Sequence, residues 1–215
     1  MRNISPSLLA ADFSKLIDQI NVVELAGATR LHLDVMDGNF VPNLTFGPII
    51  IEGIRKLTNM HLETHLMINN PHKYIQKYVD AGSDTIIFHF EASSDIDRDI
   101  NLIKKNKIKA GIAINPDTDV KKITKYLNKL DYILIMSVFP GFGGQKFINN
   151  TLKTMKYLSN IQKEYNYIIG VDGGVNLNTI DEIYKTGIDV TIVGSALYGA
   201  NDIEKRFKQL VNGDK

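Results

Sequence analysis

The 215-residue sequence predicts an α/β fold, a single-domain barrel of eight parallel strands alternating with helices (a TIM barrel), from three observations. Short apolar runs typical of strands recur eight times along the chain. A stretch with helical spacing follows each run, and this alternation is typical of parallel β-α units. Eight units in this length take about 27 residues each, which suits a barrel because chains with this fold have about 200 residues or more.

The predicted strands are bounded by turn residues and lie at 4–9, 31–36, 62–68, 85–90, 110–115, 132–138, 168–172 and 190–195. The helices for which the sequence gives bounds lie at 13–25, 71–81, 118–130, 149–165, 176–186 and 202–211. An open doubly wound sheet is the alternative fold. It needs a glycine-rich fingerprint after its first strand, and residues 5–12 contain none.

Composition limits the classes of function. The net charge is +1 and the pI about 7.8, so nothing indicates a nucleic acid or a membrane surface as partner. The absence of cysteine excludes disulfides and thiolate metal sites. The first ten residues are too polar for a signal peptide, and no apolar run has transmembrane length, so we expect one cytoplasmic domain spanning residues 1–215.

The stretch 30–38 organises the site prediction. It is a short apolar strand that ends in an Asp-Gly turn. Because side chains alternate along a strand, His32 and Asp34 share one face, near the strand's carboxyl end. A single His-x-Asp pair is commonly structural, and that interpretation stays open for this stretch alone.

Two later strands repeat the pattern, since His65 lies near the end of the third strand and Asp172 ends the seventh. Barrel enzymes build their active sites at the carboxyl ends of the strands, where all these side chains are expected. Two imidazoles and two carboxylates form a ligand set that suits a divalent metal.

Glycine-rich loops follow the sixth, seventh and eighth strands. Glycine lets backbone N–H groups approach an anion, and barrels commonly bind phosphate with the loops after strands seven and eight. We therefore predict a phosphate site there, although each glycine alone is also an ordinary turn residue. We expect a valine at Gly143 or Gly174 to block the site while leaving the fold intact. The residues of this predicted site are Gly141, Phe142, Gly143, Gly144, Gly173, Gly174, Gly194 and Ser195.

Three methionines fall near strand ends: Met36, Met67 and Met136. Methionine commonly fills gaps in a core, but these three also suit an apolar wall around a flat intermediate. For His89 a structural role is favoured over that of a fifth ligand, and His61 is expected at the surface.

Five motifs together resemble the ribulose-phosphate 3-epimerase family, and they extend over nearly the whole chain. They are SPSLLAADF at 5–13, HLDVMDGNFVPN at 32–43, HLM at 65–67, MSVFPGFGGQ at 136–145 and VDGGVN at 171–176. The resemblance implies a (β/α) barrel with one divalent metal ion per subunit and interconversion of D-ribulose 5-phosphate and D-xylulose 5-phosphate in the pentose phosphate pathway.

By position in these motifs, the resemblance assigns each residue a role. The metal ligands are His32, Asp34, His65 and Asp172, with Asp34 and Asp172 also acting as the acid/base pair. Ser7 and His65 contact the substrate, as do the methionines and the glycine loops described above. We expect a homo-oligomer that takes a small ketose phosphate as substrate and binds neither nucleic acid nor a membrane.

The chemistry is consistent with these roles. Inversion at C3 through an enediolate needs a proton to leave one face and another to arrive on the opposite face, and hence two groups. A nearby metal stabilises the charge that develops. Zn, Fe(II), Mn and Co all suit the ligands. The alternatives are an epimerase of a related ketose phosphate such as D-allulose 6-phosphate, a phosphate-binding lyase, and a non-catalytic binder.

Overall fold

Eight parallel strands form one sheet in the computed structural model, which describes residues 1–213. They are β1 (Asn3–Pro6), β2 (Arg30–Met36), β3 (His61–Met67), β4 (Thr85–His89), β5 (Lys109–Ile114), β6 (Tyr132–Met136), β7 (Ile168–Asp172) and β8 (Val190–Val193). Neighbours pair in chain order from β2 to β8, and β8 pairs with β1. A parallel bridge between Ser7 and His32 then brings β1 beside β2, so the sheet closes into the predicted barrel.

Helices cover the outside of this barrel. They are α1 (Leu16–Leu25), α2 (Pro48–Arg55), α3 (Ile75–Asp80), α4 (Ile96–Lys105), α5 (Thr151–Gln162), α6 (Ile180–Tyr184), α7 (Ser195–Tyr198) and α8 (Ile203–Asn212). Bounds for α2, α4 and α7 were not predicted from the sequence. On α4 the spacing of Ile96, Ile100 and Ile103 buries one face, and the Asp95 carboxylate caps the first turn. Among the described residues, no helix is long and apolar enough to cross a membrane.

The helix predicted at 118–130 is instead a run of 3-10 turns over Val120–Lys129. It begins where the Asp119 carboxylate accepts the backbone N–H of Lys121 at 3.0 Å. Ile123, Tyr126 and Leu127 are buried against the barrel, so the predicted apolar face is present although the helix type differs. The predicted ends of the first and last strands also differ. Residues 8–10 form a 3-10 turn, and Ser195 begins α7.

Alternate strand residues face opposite sides of the barrel wall. On β2, Leu31 and Val35 belong to the apolar layer between strands and helices, whereas His32 and Asp34 are buried on the other face. A second apolar cluster fills the barrel interior, and its members are Ile87, Ala113, Tyr132, Leu134, Met136, Val190 and Ile192. The barrel interior therefore contains an apolar cluster and also buried polar side chains, among them His32 and Asp34.

Candidate active site

The four proposed ligands meet inside the barrel. One nitrogen of His32, one of His65, and one carboxylate oxygen each of Asp34 and Asp172 all lie within 4.8 Å of one another. Asp34 Oδ1 is 3.0 Å from His65 Nδ1 and 3.3 Å from His32 Nε2. The Ser7 hydroxyl donates to Asp34 Oδ2 at 2.6 Å. The structure thus brings together residues from β2, β3 and β7, and this cluster could hold a metal ion.

Burial and mutual charge set the ionisation of this cluster. Burial opposes the charge of His32, but the Asp34 carboxylate and then Glu63 raise its pKa to about 10. The His65 pKa falls to about 3 because burial dominates. Burial also raises the pKa of Asp172 to about 7, to which the nearby Asp34 charge contributes. Burial would raise the pKa of Asp34 too, but the two histidines hold it well below its usual range.

A buried glutamate supports His32 from beneath. Glu63 is wholly buried on β3, and its Oε2 lies 3.5 Å from His32 Nδ1. The hydroxyl of Ser5 donates to the same oxygen at 2.8 Å, and Arg30 pairs with the other oxygen at 2.5 Å. A histidine that binds metal through one nitrogen is commonly oriented by such a carboxylate on the other nitrogen. Glu63 is not among the residues predicted from the sequence, although it shares a strand face with His65.

His65 has a different partner. Its Nε2 lies 2.9 Å from Nε2 of His89, the last residue of β4, and the two rings stack with centroids 5.0 Å apart. The Nδ1 of His89 lies 3.2 Å from a carboxylate oxygen of Glu91. Both nitrogens of the buried His89 therefore have partners, which agrees with the structural role expected for it.

An open cavity of about 460 Å³ lies above the cluster, at the carboxyl ends of the strands. Asp34 and Asp172 reach its wall, whereas His32 and His65 lie beneath it and are wholly buried. The other proposed substrate-binding residues all line it: Ser7, Met36, Met67, Met136, Gly141, Phe142, Gly143, Gly144, Gly173, Gly174, Gly194 and Ser195. His65 is the one proposed substrate-binding residue that does not line the cavity, because it lies below the cavity floor.

The two glycines after β7 are required by close packing. Gly173 and Gly174 have φ angles of +111° and +65°, which residues with a side chain rarely adopt. A Cβ on Gly174 would lie 2.5 Å from the backbone nitrogen of Phe147, and one on Gly173 would collide with Val138. The expectation that a valine at Gly174 leaves the fold intact is therefore wrong. For Gly143 it stays a prediction, since a Cβ there would meet nothing within 4 Å.

Three polar side chains that the sequence analysis did not assign hold the rim of the cavity. Asn43 Nδ2 donates to the carbonyl of Gly141 at 2.7 Å and ties the loop after β2 to the glycine loop after β6. The amide of Gln145 donates to two carbonyls within that same loop. The Ser137 hydroxyl donates to the carbonyls of Asp172 and Gly173 at 2.8 and 2.6 Å, which fixes the end of β7.

Comparison with known proteins identifies similar chains. A family model described as the ribulose-phosphate 3 epimerase family matches residues 3–198. The chain is 42% identical to a ribulose-phosphate 3-epimerase of Bacillus subtilis (strain 168) over 213 residues, covering 98% of both chains. It is 43% identical to the ribulose-phosphate 3-epimerase of Aquifex aeolicus (strain VF5) over 212 residues, covering 98% of this chain and 96% of the relative.

Solved structures share the fold at lower identity. The 3-hexulose-6-phosphate synthase of Salmonella typhimurium superposes with a TM-score of 0.72 at 20% identity, covering 97% of this chain and 96% of that one. At this identity the likeness concerns the barrel alone.

Proposed function

The chain belongs to the ribulose-phosphate 3-epimerase family, and we propose that His32, Asp34, His65 and Asp172 carry out its chemistry. It is an enzyme that epimerises a carbohydrate phosphate. The observation that supports the residue assignment is the convergence of two carboxylates from β2 and β7 with two imidazoles at the floor of one cavity.

The substrate of the proposed reaction is D-ribulose 5-phosphate, and its product is D-xylulose 5-phosphate. The relatives that match nearly the whole chain are named for ribulose phosphate. The alternative of a related ketose phosphate such as D-allulose 6-phosphate is therefore not favoured.

The four side chains fit one divalent metal ion. They supply two imidazole nitrogens and two carboxylate oxygens, donors that Zn, Fe(II), Mn and Co accept. Burying two carboxylates side by side raises the pKa of Asp172 to about 7, a cost that a cation in the cluster would offset. When bound, the ion would polarise the C2 carbonyl and stabilise the negative charge that develops when C3 loses its proton.

Asp34 and Asp172 exchange the C3 proton in this proposal. They stand on separate strands, β2 and β7, and both reach the wall of the cavity. One carboxylate takes the proton from one face of C3, and the other delivers a proton to the opposite face, which inverts the centre. The bond from the Ser7 hydroxyl to Asp34 Oδ2 fixes the orientation of that carboxylate.

The phosphate binds among the glycines after β6, β7 and β8. Among the described residues that line the cavity, none is lysine or arginine, so the proposed donors for the phosphate are uncharged: backbone N–H groups and the Ser195 hydroxyl. The short helix α7 begins directly after β8, where barrels commonly place a phosphate site. Met36, Met67 and Met136 form an apolar part of the wall, which limits access of water to the reacting carbons.

Oligomeric state and location are also part of the proposal. We propose a homo-oligomer because Phe13, Ile17, Leu44 and Ile49 expose large apolar side chains, with Ile49 77% exposed. Sedimentation velocity on the purified protein tests this. The cytoplasm stays our prediction for its location.

A substrate panel tests the function. Purified protein is assayed with D-ribulose 5-phosphate, D-allulose 6-phosphate and unphosphorylated D-ribulose, and the metal content is measured on the same sample. We expect the highest kcat/KM for D-ribulose 5-phosphate and about one divalent ion per chain. Full activity in metal-free protein would contradict the metal assignment, and a preference for the hexulose phosphate would contradict the substrate.

A further inference from the structure

A chain of hydrogen bonds leads from the floor of the cavity to the outside of the barrel. It starts at His65 Nε2, passes through both ring nitrogens of His89, and ends on Oε2 of Glu91, with successive distances of 2.9 and 3.2 Å. His65 and His89 are wholly buried, and Glu91 lies in the short 3-10 turn after β4. Glu91 itself does not line the cavity.

The outer end of this chain is fixed as a hydrogen-bond acceptor. The other carboxylate oxygen of Glu91 accepts the backbone N–H of Asn115 at 2.8 Å and the hydroxyl of Thr118. Burial opposes the charge of Glu91, but the bond with His89 and these two donors hold its pKa below the usual value. An ionised carboxylate only accepts hydrogen bonds, so the partner nitrogen must carry a proton.

The proton that Glu91 requires on its partner also determines where His89 and His65 carry their ring protons. Because Glu91 accepts, Nδ1 of His89 carries a proton, and with that proton on Nδ1 the ring presents the lone pair of Nε2 to His65. The 2.9 Å contact between Nε2 of His65 and Nε2 of His89 holds a single proton, so when Nε2 of His89 is the acceptor, Nε2 of His65 carries that proton. Placed on Nε2, that proton bonds His89, and the lone pair of Nδ1 then faces the cluster. A lone pair that faces the Asp34 carboxylate suits a cation between them.

We propose that Glu91 is a positioning residue that acts through His89 to set the tautomer of His65, so that Nδ1 of His65 is presented as a metal ligand. This inference rests on the proposed function, because it assumes that His65 binds a divalent ion. The residue itself lies outside the cavity and touches neither metal nor substrate.

Two substitutions distinguish this role from simple packing. In Glu91→Gln the carbonyl must face the N–H of Asn115, which can only donate, so the amide NH₂ faces Nδ1 of His89. The proton of His89 then moves to Nε2, and His65 must carry its proton on Nδ1, against the metal. Glu91→Ala removes the acceptor of the His89 hydrogen bond but does not reverse the direction of the hydrogen bonds between His89 and His65. The smaller change in shape should therefore have the larger effect on metal binding.

The measurement is calorimetric titration of Zn²⁺ into chelator-stripped, full-length protein. We expect Glu91→Gln to weaken binding roughly 10- to 100-fold, the range for outer partners of metal ligands, and Glu91→Ala to weaken it less. The exposed Glu164→Gln serves as a matched control and should leave the affinity unchanged. Thermal melts of the stripped proteins establish that each variant is folded.

A second readout needs no variant. Long-range ¹H–¹⁵N correlation spectra of the Zn²⁺-loaded wild type report which nitrogen of each histidine is protonated. We expect Nε2–H for His65 and Nδ1–H for His89. A proton on Nε2 of His89, or on both of its nitrogens, would overturn the inference, as would Glu91→Gln binding Zn²⁺ as tightly as Glu91→Ala. If the wild type bound no Zn²⁺, the proposed function would fail as well, whereas the preceding outcomes leave it intact.

Discussion

The Ser7 hydroxyl donates a 2.6 Å hydrogen bond to Oδ2 of Asp34, and both side chains are almost fully buried. The same serine forms the bridge to His32 that closes the barrel, so the position of this donor is set by the fold. The contact leaves Oδ1 of Asp34 to face the two histidines. Ser7 therefore orients the carboxylate in addition to its proposed contact with substrate.

We predict that Ser7→Ala lowers kcat/KM roughly 10- to 100-fold, because a hydrogen bond to a charged group contributes about 1.5–3 kcal/mol. Steady-state kinetics with D-ribulose 5-phosphate measures the effect, and the exposed Ser14→Ala is the control. If Ser7 only contacted substrate uniformly, KM would rise and kcat would stay unchanged, and the orienting role would be wrong.

The second prediction concerns two ion pairs of similar length and different burial. Arg30 and Glu63 pair at 2.5 Å with Glu63 wholly buried, whereas Glu52 and Lys56 pair at 2.6 Å with both side chains more than half exposed. Glu63→Gln should destabilise the protein by roughly 3–5 kcal/mol, because it leaves the largely buried Arg30 without a counter-charge.

The matched change at the exposed pair, Glu52→Gln, should leave the free energy of unfolding nearly unchanged, because solvent screens the attraction between the two charges. Urea unfolding of the metal-stripped proteins gives both free energies of unfolding. Equal losses in the two variants would show that burial does not control the contribution of these pairs.

Two glycines of the phosphate region should respond differently to substitution. Gly143→Val places its side chain in open space on the cavity wall, so stability should change by about 1 kcal/mol or less. Its KM for D-ribulose 5-phosphate should rise because the side chain occupies the proposed phosphate region. Gly174→Ala should instead lower the melting temperature, because its Cβ collides with the Phe147 backbone. A normal KM in Gly143→Val would place the phosphate elsewhere.

His61 should make stability depend on pH. It was expected at the surface, but it is half-buried, with Nε2 2.7 Å from the Thr85 hydroxyl, and burial lowers its pKa from the ordinary value of 6.5. The unfolded chain therefore binds a proton at higher pH than the folded chain does. The folded state should lose stability as pH falls below 6.5, until the folded pKa is passed.

The variant His61→Gln should lack this part of the pH dependence. Urea unfolding of metal-stripped wild type and variant at about pH 8 and about pH 5 gives the difference. Because the other titrating groups are common to both proteins, the wild type should lose more stability than the variant between these two values. Parallel losses would contradict the shift assigned to His61.

The positions of the proposed ligands could be predicted because they depend on local patterns. A two-residue period places His32 and Asp34 on one face, and the carboxyl ends of parallel strands meet at one rim, which also locates His65 and Asp172. The contacts of Glu63 could not be predicted in this way. It meets His32 because β2 and β3 pair with these two residues in register, and no local pattern gives the register of two strands.

The effect of a valine at Gly174 on the fold was wrongly predicted for a related reason. Glycine repeats after strands indicate loops that approach an anion, but the sequence does not reveal that the Phe147 backbone packs against this position. Likewise, the chain from His65 to Glu91 depends on ring orientations inside the barrel. Tertiary contacts between distant segments therefore account for what the sequence left out.

The last prediction tests the two-carboxylate mechanism. A single base that returns a proton to the face it came from exchanges the proton with retention, whereas two carboxylates on opposite faces invert C3. In deuterated water, product formed in the first few per cent of turnover should carry deuterium at C3, because the delivering group has already exchanged with solvent. Substrate recovered at the same time should carry much less. Mass spectrometry of both sugars measures this.

Asp34→Asn and Asp172→Asn should each lower kcat by at least roughly 10²- to 10⁴-fold, the range for loss of a positioned acid or base. One of the two variants should still exchange the C3 proton of one epimer, because the remaining carboxylate serves one face. Bound metal is measured in each variant, since both residues are proposed ligands, and only variants that retain the ion are compared. Early product without deuterium would mean that one shielded group carries the same proton across, and the assignment of two carboxylates would then be wrong.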